Sequence, residues 1–528
     1  MKKIFITIFF ANIILIAQTE QKNVELPDFV ITGRQKIDVQ TVEKKKADLI
    51  GIVSEDFLMP RYSPEELPLL ISSVPKPIIP SVDDLNNSYF GNIYIGLGRY
   101  SYPVGELHLN KSMNYYLLHA DVWGLNIREY IPYSGYNSSG VNVENNLFVS
   151  TKSDFLPGSE IKLNGKYFRD SYKFFGSLTQ DSLRENFRTN GNFSFSNNYN
   201  KWINAGLNLQ VDLLTIKNSI KEKLLSGSGY FETKAPKFIL GTKALYKKQF
   251  LENNLSGIDN YSYYELEAYS KLYSLKNVIL NFGINYSKNN NNNFLSPFAS
   301  TQVKLYNGLT LKAEFTPHTE FYSINDLLNK NIYMNNDSID NVFMKIPFNL
   351  YASLKYDYEN ILTVKLLGNY RTINNYPYFE DKIKKGFFNI YSSEEVKSYS
   401  IGTDVLFNSS FYGFLDFSFM INQVKDKSDN YIPYNPLYQL NISYGYNFYF
   451  GLGVKIKYKF YKDYYADIMN KKLIPDYHDF SASLMYELFK SLSLRADFHN
   501  IFNKSNFVFE GYREKPFDII LGIEYRWQ

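Results

Sequence analysis

The chain has 528 residues, a formal net charge of +4 and no cysteine. This net charge is too small to suggest nucleic-acid binding, and we expect no nucleic-acid partner. The missing cysteine excludes disulfides, thiolate metal sites and a cysteine nucleophile. Aromatic residues are abundant, with 47 Tyr and 42 Phe, although the mean hydropathy is only −0.31. A helical membrane protein would be more apolar, whereas a transmembrane β-barrel combines water-facing side chains with aromatic girdles.

The first residues have the organisation of a secretory signal peptide. Lys2 and Lys3 are followed by an apolar stretch from Ile4 to Ala17. This stretch is shorter than the roughly 20 residues that a spanning helix needs. We therefore predict that residues 1–17 are a signal peptide, with a buried hydrophobic helix as the alternative. No later segment has a comparable apolar run, which leaves a periplasmic protein, a secreted protein or a barrel.

From about residue 88 to the C-terminus, apolar and polar residues alternate with the period of β-strands. In residues 451–460 the polar face carries three lysines, which a soluble core would not contain. In a barrel such faces line the lumen. The candidate lumen-facing residues are Lys455, Lys457, Lys459, Glu265, Glu267, Arg495 and Asp497.

The connections between strands are of two kinds. Short turns such as 235–236 and 307–308 alternate with long loops such as 319–344 that are rich in Tyr and Asn. Bacterial barrels have this asymmetry between periplasmic turns and extracellular loops. The pattern predicts an all-β fold, a transmembrane antiparallel β-barrel over residues 88–528. We expect about 22 strands, within a range of about 16 to 24, with both termini in the periplasm.

The last strand carries the sharpest local signal. Its apolar face consists of Leu521, Ile523, Tyr525 and Trp527, and it ends on an aromatic residue. Such a strand resembles the recognition strand of outer-membrane proteins, which implies the barrel-assembly machinery and outer-membrane lipid as partners. An ordinary amphipathic edge strand is the alternative. The predicted location is the bacterial outer membrane.

Two stretches near the C-terminus follow a known pattern, namely the turn Asn500-Ile501-Phe502-Asn503-Lys504 and the strand Leu521-Gly522-Ile523-Glu524-Tyr525-Arg526-Trp527. Together they resemble the end of TonB-dependent receptors. Gly386-Phe387-Phe388-Asn389, followed by Ser400 to Asp404, also looks like a barrel strand of that family. The resemblance implies an outer-membrane barrel for the uptake or passage of a solute, which the sequence does not identify.

Residues 24–34 resemble the energy-coupling segment of the same family, which implies the TonB energy-transducing protein as a partner. A solvated periplasmic tail is the alternative. The candidate coupling residues are Glu25, Leu26, Phe29, Val30, Ile31 and Thr32. The family's globular plug has no counterpart, because the charged and proline-rich residues 35–87 favour an extended linker. We therefore predict an extended periplasmic segment over residues 18–87.

The sequence offers no pattern typical of an enzyme. It has only five histidines, and it contains neither a Gly-x-Ser-x-Gly elbow nor a His-Glu-x-x-His helix. We expect no catalytic, metal-binding or cofactor-binding residues. The alternative to transport is an envelope scaffold or surface-binding barrel, in which aromatic loops such as Tyr130–Tyr136 and Tyr461–Tyr465 hold a partner or glycan.

Overall fold

The computed structural model describes residues 90–253, 260–275, 277–290, 292–336, 342–359, 361–409 and 411–527. The predicted signal peptide and the predicted periplasmic segment 18–87 lie outside these residues. Within them the chain is all-β apart from one short helix, as the alternation predicted. No helix in these ranges is long and apolar enough to cross a membrane.

The first half of the chain forms β1 (Gly91–Gly98), β2 (Ser101–Met113), β3 (Tyr116–Ile127), β4 (Tyr136–Phe148), β5 (Ser159–Lys173), β6 (Leu183–Asn197), β7 (Ile203–Ile216), β8 (Ile220–Lys234), β9 (Phe238–Asn253), β10 (Ser262–Leu275), β11 (Val278–Asn289), β12 (Asn293–Tyr306), β13 (Leu309–Phe315) and β14 (His318–Tyr322). The helix α1 (Ile324–Lys330) follows, and then β15 (Val342–Tyr358), β16 (Leu362–Asn374), β17 (Tyr376–Lys384), β18 (Phe387–Ser393), β19 (Val396–Ser409), β20 (Gly413–Asp426), β21 (Tyr438–Asn447), β22 (Leu452–Lys462), β23 (Tyr477–Phe489), β24 (Leu492–His499), β25 (Phe507–Phe509), β26 (Tyr512–Arg513) and β27 (Asp518–Trp527).

The main sheet closes into a barrel. Successive strands pair antiparallel, and β27 returns to pair with β1 from Gly91↔Trp527 to Gly98↔Ile520. The sheet has 23 segments, but β13 and β14 lie end to end along β15 on either side of Pro317, which has no amide hydrogen to donate. The barrel wall therefore has 22 strands, and the predicted number is confirmed.

The two ends of the barrel differ in the length of their connections. At one end, the loop end, the connections include 128–135, 174–182, 323–341, 375–395, 427–437, 463–476 and 500–517. The other end, the turn end, has mostly short turns, with 149–158 as its longest connection. The strand β1 begins at the turn end and β27 finishes there. Since barrels of this kind place long loops outside the cell, the loop end is extracellular.

The two faces of each strand have opposite chemistry. On β27, Leu521 and Ile523 are 57% and 53% exposed, whereas Glu524 and Arg526 on the other face are buried. The strand register carries this division around the ring, so that large apolar side chains cover the outside. An apolar outer face and a closed sheet are what hydrocarbon requires, which makes this an outer-membrane barrel. That the assembly machinery binds Leu521, Ile523, Tyr525 and Trp527 stays a prediction.

A buried carboxylate fastens the strands where the barrel closes. Asp518 at the start of β27 accepts hydrogen bonds from the amides of Tyr100 (2.9 Å), in the turn between β1 and β2, and of Ser101 (3.2 Å), the first residue of β2. It also binds the Ser101 hydroxyl at 2.8 Å and the Lys515 ammonium at 2.7 Å. The Asp518 side chain is fully buried. One side chain therefore joins the first and last strands.

We predict that Asp518→Ala lowers the free energy of unfolding by about 2–4 kcal/mol, because it leaves the partly buried Lys515 ammonium and two backbone amides without their acceptor. Urea titration of the refolded barrel measures this free energy. The folded fraction at each urea concentration is read from electrophoresis of unheated samples, in which the folded barrel migrates differently from the unfolded chain. The matched control is Asp154→Ala, at an exposed position in the turn-end connection 149–158. Equal unfolding midpoints for the two variants would contradict the proposed role of Asp518.

Candidate functional site: an aromatic lid over the extracellular mouth

Buried apolar side chains gather at the extracellular end of the barrel. All four buried apolar clusters among the described residues lie there. The largest cluster joins side chains from four loops to three residues at the ends of β7 and β8. We call this cluster the lid, and its buried members are Phe174, Phe175, Leu214, Ile216, Ile220, Ile324, Leu327, Leu328, Met334, Phe379, Phe387, Phe388, Phe509 and Tyr512.

The lid spans the extracellular mouth of the barrel, because it joins loops from opposite sides of the ring as well as neighbouring loops. Phe174, in the loop after β5, stacks on Phe387 in the β17–β18 hairpin with ring centroids 4.4 Å apart. The strands that carry these two loops are the fifth and sixth and the fifteenth and sixteenth of the ring. Ten positions on a ring of 22 strands is almost half a circumference. This contact therefore crosses the extracellular opening.

Tyr512 and Phe388 are the centre of the lid. The Tyr512 ring stacks on Tyr333 at 3.5 Å and meets Phe175 edge-on at 5.0 Å. Phe388 is fully buried and packs against Phe509 at 5.2 Å. These contacts join loops 174–182, 323–341, 375–395 and 500–517 through aromatic surfaces.

Three glycines allow three of these loops to touch through their backbones. A Cβ atom on Gly386 would lie 2.5 Å from the Cα of Ser177, and one on Gly176 would lie 2.7 Å from the Gly511 carbonyl oxygen. Gly386 and Gly511 also have φ angles of +78° and +82°, which favour glycine. Beside this junction the Tyr512 hydroxyl donates to the Gly386 carbonyl at 2.6 Å.

Two buried groups on the barrel wall hold the loop 323–341. The Arg184 guanidinium on β6 donates to the carbonyls of Ile332 (3.0 Å) and Met334 (2.8 Å). The Tyr172 hydroxyl on β5 also donates to Ile332, at 2.5 Å. These bonds satisfy backbone carbonyls that would otherwise be buried without partners.

The helix α1 in this loop is fixed by a carboxylate on β8. Glu222 accepts hydrogen bonds from the amides of Ile324 and Asn325, both at 2.9 Å. Ser323 and Asp326 form a capping box around the same helix end. The first-turn amides therefore have acceptors from the wall and from the loop itself, and the apolar face of α1 packs into the lid.

The predicted lumen-facing residues fall into two groups on opposite sides of the ring. Lys455, Lys457 and Lys459 on β22 share one face with Arg495 and Asp497 on β24 through the register of β23. Glu265 and Glu267 lie on β10, where Asn285 donates to Glu265 at 2.6 Å and Lys243 pairs with Glu267 at 2.9 Å. All seven lie on the face opposite to the exposed apolar residues. Their contact with a solute stays a prediction.

Sequence reasoning missed a pair of histidines on the inner face. The Nδ1 of His108 and the Nε2 of His119 lie 2.5 and 2.8 Å from the two oxygens of Asp121. The register His108↔Asp121 between β2 and β3 brings them together, and the short turn between these strands was the available signal. In the described part of the chain, no group of three or more such side chains has the geometry to hold a metal ion.

One expectation about the loops was partly wrong. Gly386 to Asn389 do not belong to a barrel strand, because β17 and β18 form a separate hairpin inside the lid, whereas Ser400 to Asp404 lie in the barrel strand β19. Of the loop tyrosines, Tyr464 is 4% exposed and the Tyr130 hydroxyl donates to the Arg513 carbonyl at 2.8 Å, whereas Tyr133 is 37% exposed. That these aromatic loops hold a partner or glycan stays a prediction. The coupling residues Glu25 to Thr32 lie outside the described residues.

We predict that Gly386→Ala unpacks the lid, at a cost of about 2 kcal/mol, because a methyl group meets backbone atoms at a left-handed φ. Chymotrypsin cleavage after Phe387 or Phe388, which are buried in the lid, should become about thirtyfold faster. The control Gly368→Ala places its methyl group in open space on β16. Equal cleavage rates in the two variants would show that the glycine junction does not hold the lid.

Comparison with known proteins gives a match in structure alone. No protein-family model matches the chain, and no curated protein does so. The FrpB iron transporter from Neisseria meningitidis is similar in structure, with a TM-score of 0.64, 10% identity, and coverage of 84% of this chain and 82% of that chain. The ferric-catecholate import receptor Fiu from E. coli K12 has a TM-score of 0.62 and 10% identity over 84% and 82% of the chains.

The copper transporter OprC has a TM-score of 0.60 and 12% identity over 83% of this chain and 80% of that chain. These three proteins are transporters or receptors. The resemblance to TonB-dependent receptors is thus confirmed for the barrel, and this chain has their 22-strand outer-membrane fold.

Proposed function

We propose that the chain is an outer-membrane transport barrel for an unidentified solute, with the lid as its extracellular gate. The observation that carries the proposal is the polar inner wall below the lid. A cavity of about 460 Å³ against β6 to β10 is lined by groups such as Asn208, Lys243, Glu265 and Glu267. An interior built only as a rigid scaffold would gain more stability from apolar packing.

Unsatisfied amides on the inner wall support a wet interior. The side-chain oxygens of Asn164, Asn192, Asn204 and Asn281 are buried without a protein hydrogen-bond partner. Buried polar atoms of this kind require water or a polar solute to offset their desolvation. A wall with such groups on several strands suits the passage of a hydrated or polar molecule.

The solved structures with this fold are described as iron, ferric-catecholate and copper transporters or receptors. At 10–12% identity they support the class of function and leave the solute open. We further propose that residues 18–87 act at the periplasmic side and that Glu25 to Thr32 pair with TonB. An extended segment of this kind can add a strand to the edge of a partner's sheet.

The packed lid also favours a second candidate function, a non-transporting scaffold. Loops that bury aromatic rings against each other across the mouth would give such a barrel a permanent, rigid outer surface. The two functions differ in whether the lid ever opens.

Conductance through planar bilayers distinguishes them. We predict that replacing residues 377–392 by a short glycine-serine turn, in a chain that also lacks residues 18–87, produces large stable channels. The change removes the hairpin from the lid, and the truncation leaves no N-terminal segment that could enter the lumen. The chain without residues 18–87 but with an intact lid should conduct little. The matched control for the loop change is Gly368→Ala in the same truncated background. If the barrel with both changes folds but passes no current, the transport function is refuted and the scaffold function is supported.

We predict that Ile31→Pro weakens binding of the full chain to the periplasmic domain of TonB by about tenfold or more, because proline cannot donate to a paired strand. Biolayer interferometry with the immobilised periplasmic domain of TonB measures this affinity. The control is Gln40→Pro, outside the predicted coupling segment. Binding that is absent in the unchanged chain, or insensitive to Ile31→Pro, would refute coupling through this segment.

A further inference from the structure

We propose that a cavity beneath the lid binds an organic cation, held by tyrosine rings and the carboxylate of Glu514. As a statement about the transported solute, this inference rests on the proposed function. As a statement about binding, it stands on the geometry of the cavity alone.

The cavity has a volume of about 300 Å³, enough for a small organic molecule. Its walls are formed by loops 128–135 and 500–517, by Phe175 and Tyr333 of the lid loops, and by the extracellular ends of β4, β5, β23 and β24. Five of its lining residues are aromatic, namely Tyr130, Tyr136, Tyr172, Phe175 and Tyr333.

The aromatic wall is rigid before any ligand arrives. Tyr172 meets Tyr333 edge-on at 5.7 Å, and Tyr130 meets Phe175 edge-on at 6.4 Å. The hydroxyls of Tyr130 and Tyr172 donate to the carbonyls of Arg513 and Ile332. With these hydroxyls bound to the protein, Tyr130 and Tyr172 contribute aromatic rings to the cavity wall, and aromatic rings attract cations.

The charged groups of the cavity do not cancel. Glu514 accepts a hydrogen bond from the Tyr477 hydroxyl at 2.8 Å, and none of the ion pairs among the described residues includes it. Burial raises the pKa of the Glu514 carboxyl above its usual range. The hydrogen bond from Tyr477 and the Lys459 ammonium lower this pKa, and the nearby Asp479 carboxylate raises it. Lys515 also lines the cavity, but its ammonium is bound to Asp518 and Ser101.

A cation satisfies these groups better than other ligand classes. An anion would face the carboxylates of Asp479 and Glu514. A neutral sugar could stack on the rings but would leave the partly buried Glu514 carboxylate without a counter-charge. A cation would take the place of the proton that burial otherwise favours on Glu514, and it would gain attraction from the rings.

The test uses choline and its uncharged isostere 3,3-dimethyl-1-butanol as probes. Calorimetric titration of the refolded full chain in a non-ionic detergent should show binding of choline and at least tenfold weaker binding of the alcohol. Glu514→Gln, which keeps an acceptor for Tyr477, should weaken choline binding about tenfold. Tyr333→Leu should weaken it as well. The matched control Glu510→Gln lies in the same loop, where Glu510 pairs with Lys472 at 3.3 Å outside the cavity, and should leave the affinity unchanged.

Equal affinities for choline and the alcohol, absent choline binding, or an unchanged affinity in Glu514→Gln would overturn the inference. The comparison of choline with 3,3-dimethyl-1-butanol on the unchanged chain tests the inference even if a variant fails to fold. The outcome is separate from the conductance experiment. Conductance without choline binding would remove the cation site and keep the transporter, whereas choline binding without conductance would keep the site and remove the transporter.

Discussion

The structure depends on one constraint, that backbone hydrogen-bonding groups in hydrocarbon must be paired within the protein. Each unpaired group would cost several kcal/mol, so the sheet must close on itself. The pairing of β1 with β27 meets this requirement, and the buried Asp518 fixes the two strands at their extracellular ends. Closure with 22 strands then sets a circumference too wide for inward side chains alone to fill. Polar side chains and water must therefore occupy the interior, and loops must cover the extracellular mouth.

The protein uses its many aromatic residues in two places as a consequence. On the outside of the barrel they face lipid or the membrane–water interface, and the side chains of Tyr525 and Phe282 are about half exposed there. At the extracellular mouth they face one another, and Phe388 and Tyr512 are buried in the lid. The inner wall between these regions carries amides, lysines and carboxylates. Apolar packing is thus concentrated where the loops meet, and the wall is stabilised by its backbone ladder and the bilayer.

The sequence predicted the strands well because a lipid-facing wall imposes a period of two along the whole chain. The number of strands, their antiparallel order and the side of the termini follow from that period and from the alternation of short and long connections. The lid could not be predicted in this way. Phe174 and Phe387 are more than two hundred residues apart, and their contact depends on the ring bringing two distant loops to opposite sides of the extracellular rim. Aromatic loop residues also look the same in sequence whether they bind a partner or each other. The convergence of His108 and His119 on Asp121 depended on a register that a short turn sets but alternation does not reveal.

The barrel and the lid are held together by different interactions, and this separation matters for the proposed gate. The barrel wall is a continuous ladder of backbone bonds that cannot be opened at one place without exposing unpaired groups to lipid. The lid is joined mainly by ring packing and by a few bonds such as that from Tyr512 to Gly386. Its loop 323–341 is anchored to the wall by Arg184 and Glu222, whereas Phe387 and Phe388 extend into the lid from a hairpin with its own two-stranded sheet. Moving that hairpin would break side-chain packing and the two backbone hydrogen bonds that Phe388 makes with Tyr333 and Asn335, while leaving the ladder of β16 and β19 intact. A gate built on this hairpin can therefore open without weakening the closure on which the whole protein depends.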